Sequence, residues 1–372
     1  MKISFGREAF ANAFALAANV APARSPKEIL QYVKLTANEQ GTMLEATDME
    51  MGIRLRVEGV AVDAPGTALL PVQRTGLILR ASTDDQLTFE SDAQGMLISG
   101  ARSKFRLPSA NPDEYPRVPT FQEERYHELT AGALRELLTR TEFATDTDSS
   151  RYALGGVLLE LDGDRVTAVG TDGRRLAQME TRGQSVGGHQ TTGSNTIVPR
   201  NAVSLILRAL GSSIDEPVQV AARGNDLLVR AGRAEIFTRL VEGRYPNWQQ
   251  VVPKRRGVPR INLVVGPVEV ALQQAAVVTD PESRGIDFTF GDGTLVLDAN
   301  TAEVGQSHVE LPIDYTGDSI TLTLDHRFVG DFLKVLKKER AFQFEIESSN
   351  RPALLTTDDG YAYVVMPMAR DR

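Results

Sequence analysis

Three segments of this chain follow one pattern, and that repetition limits the fold more than any other feature. Residues 76–80, 204–208 and 331–336 each read as part of a helix. Three short β-rich runs follow each helix: 87–90, 95–100 and 103–107; then 218–220, 227–230 and 235–240; then 342–346, 353–355 and 361–366. The helix starts recur at a spacing of roughly 128 residues. A second helical stretch opens each unit, at 7–20, 130–145 and 267–278. In the middle one, Leu134, Leu137 and Leu138 fall on one face while Arg135, Thr139 and Glu142 point away, the pattern of a helix laid on a sheet. Alternating strands follow it, with Asp162-Gly163 as the turn between two of them. Ala46-Thr47-Asp48 and Gly170-Thr171-Asp172 occupy matching places, and Asp298-Ala299-Asn300 is the expected third copy.

The joints between units are marked by proline. Residues 111–119 contain three prolines, and Gly243-Arg244-Tyr245-Pro246 begins a second connector that runs on to Pro253. Proline removes a backbone donor and fixes φ, so these stretches read as extended connectors. The expectation is an α+β chain of three repeated domains, near 1–120, 121–255 and 256–372, each with two helices packed on curved antiparallel sheet.

Catalytic motifs are scarce. No phosphate-cradling glycine loop of either common kind is present. Gly183-Gln184-Ser185-Val186-Gly187 matches a nucleophile elbow, but it runs on into a polar, glycine-rich stretch and reads as a flexible loop. The chain has no cysteine, which excludes thiol nucleophiles and thiolate zinc sites. His127, His189, His308 and His326 are scattered, none at metal-ligand spacing. Asp358-Asp359 lies beside a glycine and reads as a turn. No metal and no cofactor are expected. The start lacks the apolar core of a signal peptide and no run is long enough to span a membrane, so a soluble cytoplasmic protein is expected.

The formal charge is −8, which argues against tight nucleic-acid binding, because duplex affinity comes from Lys and Arg replacing counterions. Basic residues nevertheless concentrate on or beside the helices: Arg24, Arg74, Arg80, Arg135, Arg140, Arg151, Arg200, Arg208, Arg327, Lys334, Lys337 and Lys338. Many acids fall in turns and strands. The plain alternative is pairing along a helix, as Glu136 and Arg140 would make.

The threefold repeat, Thr171-Asp172-Gly173-Arg174-Arg175-Leu176, Gly243-Arg244-Tyr245-Pro246 and Tyr363-Val364-Val365-Met366-Pro367-Met368 occur in an order that closely resembles the beta subunit of bacterial DNA polymerase III, the sliding clamp. The resemblance spans the whole chain. It implies a non-catalytic processivity factor: a head-to-tail homodimeric ring with helices inside, enclosing double-stranded DNA. It also implies partners that carry a clamp-binding peptide, namely the DNA polymerase III alpha subunit, the clamp-loader complex, other polymerases and repair proteins. A topological link needs no tight binding, so an acidic chain fits.

By the same resemblance, Arg24, Arg74, Arg151, Tyr152 and Arg200 match positions that face DNA. Gln73, Asp148 and Ala153 depart from the pattern there. The partner-peptide pocket would draw Arg151, Leu154, Thr171, Gly173, Arg174, Arg175 and Leu176 from the second unit, with Pro246 and Val251 from the connector. Val364, Val365, Met366, Pro367 and Met368 would complete it, Met suiting a wall that adapts to several ligands. Ser283 and Ala369 stand where an aromatic and a basic residue are familiar. Phe105 and Leu107 match one side of the dimer contact, and Val277 and Val278 the other; ordinary core packing is the competing reading of all four. Two wider alternatives stand beside the clamp: a three-repeat binding or scaffold protein without DNA, and a hydrolase with an unfamiliar site.

Overall fold

The computed structural model describes residues 1–92, 94–147, 152–191, 195–253, 257–280 and 284–368, Tyr152 by its backbone alone. The first unit runs β1 (Lys2–Gly6), α1 (Arg7–Ala18), β2 (Tyr32–Asn38), β3 (Gly41–Thr47), β4 (Met51–Val57), β5 (Val60–Ala64), β6 (Gly66–Pro71), α2 (Val72–Ala81), β7 (Gln86–Asp92), β8 (Gly95–Ser99) and β9 (Lys104–Leu107). The second repeats that order: β10 (Tyr126–Thr130), α3 (Ala131–Glu142), β11 (Gly156–Asp162), β12 (Arg165–Thr171), β13 (Arg175–Arg182), β14 (Gln184–Val186), β15 (Ile197–Pro199), α4 (Arg200–Ala209), β16 (Pro217–Arg223), β17 (Asp226–Ala231) and β18 (Ala234–Arg239). The third runs β19 (Arg260–Val264), α5 (Val265–Ala275), β20 (Gly285–Gly291), β21 (Thr294–Thr301), β22 (Gly305–Pro312), β23 (Ile320–Asp325), α6 (His326–Lys334), β24 (Ala341–Glu345), β25 (Ala353–Thr356) and β26 (Tyr361–Val365). Among the described residues it has no counterpart of β5 and β14.

Each unit divides its strands between two antiparallel sheets, and neighbouring units share them. β4 of the first unit pairs with β18 of the second, giving a nine-stranded sheet, β14-β10-β16-β17-β18-β4-β3-β2-β6. β13 of the second pairs with β26 of the third, giving an eight-stranded sheet, β15-β11-β12-β13-β26-β25-β24-β19. The rule is the same at both joints: the fourth strand of one unit meets the last strand of the next. Two sheets do not continue. One ends on β9, the other on β22.

Strand alternation fills the space between sheets and helices with Leu, Ile, Val and Phe. The helices lie on this core by one face: α3 buries Leu134, Leu137 and Leu138, and α4 buries Val203, Leu205 and Ile206. Helices pair within each unit, α1 with α2, α3 with α4 and α5 with α6. Arg135 joins one such pair: it donates to the carbonyls of Leu210 (3.1 Å) and Gly211 (2.7 Å) at the end of α4, where no intrahelical donor is left.

Several expectations change. Arg140 is not a surface residue: it is buried, bonded to Asp359 at 2.9 Å and set over the Tyr361 ring, while also meeting Glu136 at 3.6 Å. Asp359 is thus an ion-pair partner as well as a turn residue. Thr301, and not the Asp298 triplet, ends the third unit's third strand, in the place that Thr47 and Thr171 hold in the others. The Ser185 stretch is not a loop but a short edge strand, β14, paired with β10. The Ser185 hydroxyl donates to the His189 carbonyl at 2.8 Å, and no helix follows it, so it lacks the geometry of a nucleophile elbow. Among the described residues no helix is long and apolar enough to cross a membrane.

Candidate functional site

An apolar cavity of about 110 Å³ lies at the joint between the second and third units. Its floor comes from strand register: Leu176 on β13 sits opposite Val364 on β26, so both present the same face. Both belong to a satellite apolar cluster with Leu154, Leu158, Val169, Ile197, Tyr245 and Leu354. The connector forms another wall. Tyr245 is buried and its hydroxyl donates to the Val169 carbonyl at 3.0 Å, which fixes Pro246 at the cavity edge. That burial pushes the Tyr245 phenol well above its ordinary pKa, so it stays a donor. Val251 and Met366 stand at the rim, 42% and 43% exposed, as apolar surface left open to solvent.

The remaining wall is the turn from β12 to β13. The Thr171 hydroxyl donates to the Arg175 carbonyl (2.6 Å) and accepts from the Gly173 amide (3.1 Å). Asp172 Oδ1 accepts from the amides of Arg174 (2.9 Å) and Arg175 (3.0 Å). Gly173 takes φ +87°, a region glycine enters without steric cost. The two arginines then diverge. Arg175 is held by Asp172 (3.0 Å), by Asp331 (2.7 Å) and by the Phe143 carbonyl (2.7 Å), and lies 4.5 Å from the centre of the Phe328 ring. It fastens the second unit to α6 of the third. The Arg174 side chain is exposed and lines the cavity.

Ten residues named from the sequence therefore line one cavity: Leu154, Thr171, Gly173, Arg174, Arg175, Leu176, Pro246, Val251, Val364 and Met366. Val365 does not. Alternation along β26 turns it to the opposite face, where it is fully buried in the main core. Pro367 and Met368 also lie off the cavity. The Met368 amide donates to the Thr323 carbonyl at 2.9 Å, which draws the tail onto the third unit's own sheet. Arg151, Asp148, Ser283, Ala369 and the Tyr152 side chain lie outside the described residues.

Of the proposed DNA-facing residues, Arg24 follows α1 and Arg74 sits in the first turn of α2, both exposed. Arg200 opens α4, half-buried and 3.6 Å from Glu142. Reading along the helices missed a regularity that the structural repeat supplies. Arg80, Arg208 and Lys334 each occupy the ninth position of their unit's second helix, and all three are exposed. On the other surface, Phe105 and Val277 are 38% and 74% exposed, while Leu107 and Val278 are half-buried.

A histidine pair also escaped the sequence reading, because its members are distant along the chain. His127 and His189 are buried and share a 2.8 Å contact between their Nδ1 atoms. His189 Nε2 lies 3.0 Å from the Ala222 amide and 3.3 Å from the Ala222 carbonyl; in the arrangement that keeps both rings neutral it accepts from the nearer amide, and the Nδ1 proton is donated to His127. His127 Nε2 then donates to the Gly163 carbonyl at 2.9 Å. Every ring nitrogen is committed with both rings neutral. Burial lowers both pKa values.

Family models for the N-terminal, central and C-terminal domains of the DNA polymerase III beta subunit match residues 1–119, 128–247 and 250–369. The chain belongs to the DNA polymerase III beta subunit family. Its members, the sliding clamps, are processivity factors and not enzymes. The beta sliding clamp of Chlamydia muridarum is 28% identical over 369 residues, 99% of each chain. That of Pseudomonas aeruginosa is 29% identical, covering 99% of this chain and all of its own. A solved Pseudomonas aeruginosa sliding clamp bound to griselimycin superposes with a TM-score of 0.91 at 28% identity over the full length of both chains. A Bacillus subtilis clamp of 20% identity shares the fold, with a TM-score of 0.90.

Proposed function

We propose that this chain acts as a DNA sliding clamp in which two copies join head to tail into a six-domain ring around duplex DNA. The observation that carries the ring is the strand rule at the joints. Inside the chain, the fourth strand of a unit always meets the last strand of the next. The third unit's fourth strand, β22, and the first unit's last strand, β9, are the two sheet ends left without that partner. A second copy supplies both, and a heterologous contact used twice closes. The surfaces suit each other. Phe105 and Leu107 on β9 would meet Val277, Val278 and β22, and exposed Arg102 and Lys104 would face exposed Glu303 and Glu310. Left open, such edges invite uncontrolled pairing.

The ring would present its helices inward, with Arg24, Arg74, Arg200 and the cations at the ninth helix position toward DNA. Arg151 and Tyr152 are carried over by family resemblance alone. Enclosure needs no tight grip, which suits a chain of net charge −8. The cavity at the second joint is the proposed seat for partner peptides, from the polymerase III alpha subunit, the clamp loader, and other polymerases and repair proteins. The protein would act in the cytoplasm, with the nucleoid, and needs no cofactor. The test is retention on DNA. Loaded protein should stay on nicked circular DNA and slip off once the circle is cut. Equal retention on both forms sinks the ring and favours surface binding.

A further inference from the structure

One row of side chains crosses each joint inside the chain, and the same row can be read at the sheet ends left over. The fourth place of β4, β13 and β22 holds Arg54, Gln178 and His308. The residue opposite on the preceding strand is Glu45, Val169 and Asp298. Across the joint, Arg54 meets Glu235 of β18, and Gln178 meets Ala362 of β26. Register supplies the missing third member. From the third residue of each opening strand, Ser4, Glu128 or Asn262, strand pairing steps across to Lys104, Glu235 or Ala362. Directly opposed residues share a face, so a closed ring sets Asp298 and His308 in line with the partner's Lys104. The first row is charged throughout, with Arg54 3.3 Å from Glu45 and 3.8 Å from Glu235. The second is neutral. The third holds a group that titrates near neutral pH.

His308 lies between two carboxylates: Nδ1 is 2.7 Å from Asp298 and Nε2 is 3.1 Å from Glu310. Carboxylates only accept, so keeping both bonds needs a proton on each ring nitrogen. Asp298 and then Glu310 raise the pKa above the ordinary 6.5 of imidazole. We propose that His308 is a proton-controlled latch of the ring, opposing closure when protonated and permitting it when neutral. The proposal rests on the reading of this chain as a head-to-tail ring. With the proton on, an imidazolium stands opposite the partner's Lys104 and occupies the carboxylates which that ammonium group needs. With the proton gone, Asp298 and Glu310 are released to the cations of β9. The same register sets Glu310 opposite the partner's Arg102, as Arg56 meets Arg233 and Glu180 meets Gly360 within the chain. Asp287, opposite Asp298 on β20, also favours the proton, but it does so in the open and the closed state alike. Only the partner's Lys104, Arg102 and Arg106 arrive on closure, and all three disfavour it. Closure therefore releases a proton, and the ring tightens as pH rises through the His308 titration.

The test is the dimer dissociation constant of the full-length protein, measured by sedimentation velocity at low salt from about pH 6 to about pH 8.5. A ring makes two such exposed contacts, so the dimer should be about fivefold weaker at the acid end. His308→Gln, which copies the second joint, should keep the tighter constant across the range. His308→Arg, which fixes the charge, should be weak throughout. Lys104→Glu, which copies Glu235 at the first joint, should invert the trend and bind more tightly at the acid end. The buried His127–His189 pair is common to every variant and cancels in the comparison. A constant that stays flat with pH in the unaltered protein, or a slope that survives His308→Gln, overturns the latch and leaves the ring standing. Monomers at every pH and concentration overturn both.

Discussion

The two joints of this chain are built from one plan, and they differ in what fills them. Thr47 and Thr171 make the same two hydrogen bonds, to Met51 and Arg175 carbonyls and from the amides of Met49 and Gly173. Asp48 and Asp172 cap the same pair of amides. Met49 even shares the positive φ of Gly173, at +82°, which a side chain adopts only at a cost. A connector tyrosine is pinned at each joint, Tyr115 to the Tyr32 carbonyl and Tyr245 to the Val169 carbonyl. Beyond that tyrosine the joints part. At the first, Val118 is buried against Gly52, where even a Cβ would come within 2.7 Å of it. At the second, Leu176 replaces Gly52, Val251 stays at the rim, and a cavity remains. Val118 covers the apolar surface beside this turn at the first joint, whereas the second leaves that surface wet in the free protein.

If the open joint relies on polar fastening where the closed one relies on packing, Arg175→Ala should be the most damaging change. It removes three hydrogen-bonded partners, leaving Asp331 only Lys334 and Asp172 only its backbone amides, for a loss of about 3 kcal/mol in denaturant unfolding. Met51→Ala, at the same place in the first joint, should cost far less; equal losses would break the comparison. Val118→Ala should cost about 2 kcal/mol through the cavity it opens, and Val251→Ala under about 0.5 kcal/mol.

The histidine pair sharpens the comparison differently, because it ties the sheet crossing one joint to the sheet crossing the other. His127 lies on β10 of the nine-stranded sheet and bonds Gly163 in the β11–β12 turn of the eight-stranded sheet. Both pKa values are depressed from 6.5, so the unfolded chain binds more protons than the folded one below that pH. Asp162 and Asp164 beside His127 act in the opposite direction, as does Glu123 near His189, while Arg125 adds to the depression. The pair's contribution is complete above pH 6.5 and should fall as pH drops below it, by up to about 1.4 kcal/mol per pH unit for each histidine. Replacing His127 by Ile together with His189→Leu should flatten that slope in urea midpoints measured between pH 7 and 5; an unchanged slope would show that other groups set it. The smallest effect belongs to the exposed Glu50–Arg239 pair: Glu50→Gln should shift stability by less than about 0.5 kcal/mol, losing even that at high salt.

The repeat was legible because helix periodicity, strand alternation and proline connectors are local signals. Most of the cavity was legible through family motifs, since Thr171 to Leu176 and the terminal strand are contiguous runs. Val365 shows the limit: which face a strand residue takes depends on register, and the motif names neighbours without regard to it. Arg140 shows another, because its helical spacing to Glu136 was visible but its ion pair with Asp359 joins residues 219 positions apart. His127 stands where the first unit has Ile3 and the third Ile261, all three fully buried. A search for metal-ligand spacing could not see that; alignment of the three opening strands would have flagged a histidine in an isoleucine position.

By itself, the sequence determined that this chain is three α+β units on one plan, with proline at the connectors and its open chemistry near the second of them. Only the tertiary structure decided which strands cross the joints, that β9 and β22 are the ends left over, and that Val118 fills the space beside Gly52 while an apolar cavity stays open beside Leu176. Local hydrogen-bonding and hydrophobic periodicity act within a few residues and write themselves into the chain. Filling a joint depends on how Val118 meets Gly52, and Leu176 meets Val364, across dozens to nearly two hundred residues of sequence, and close packing is settled only when those surfaces come together.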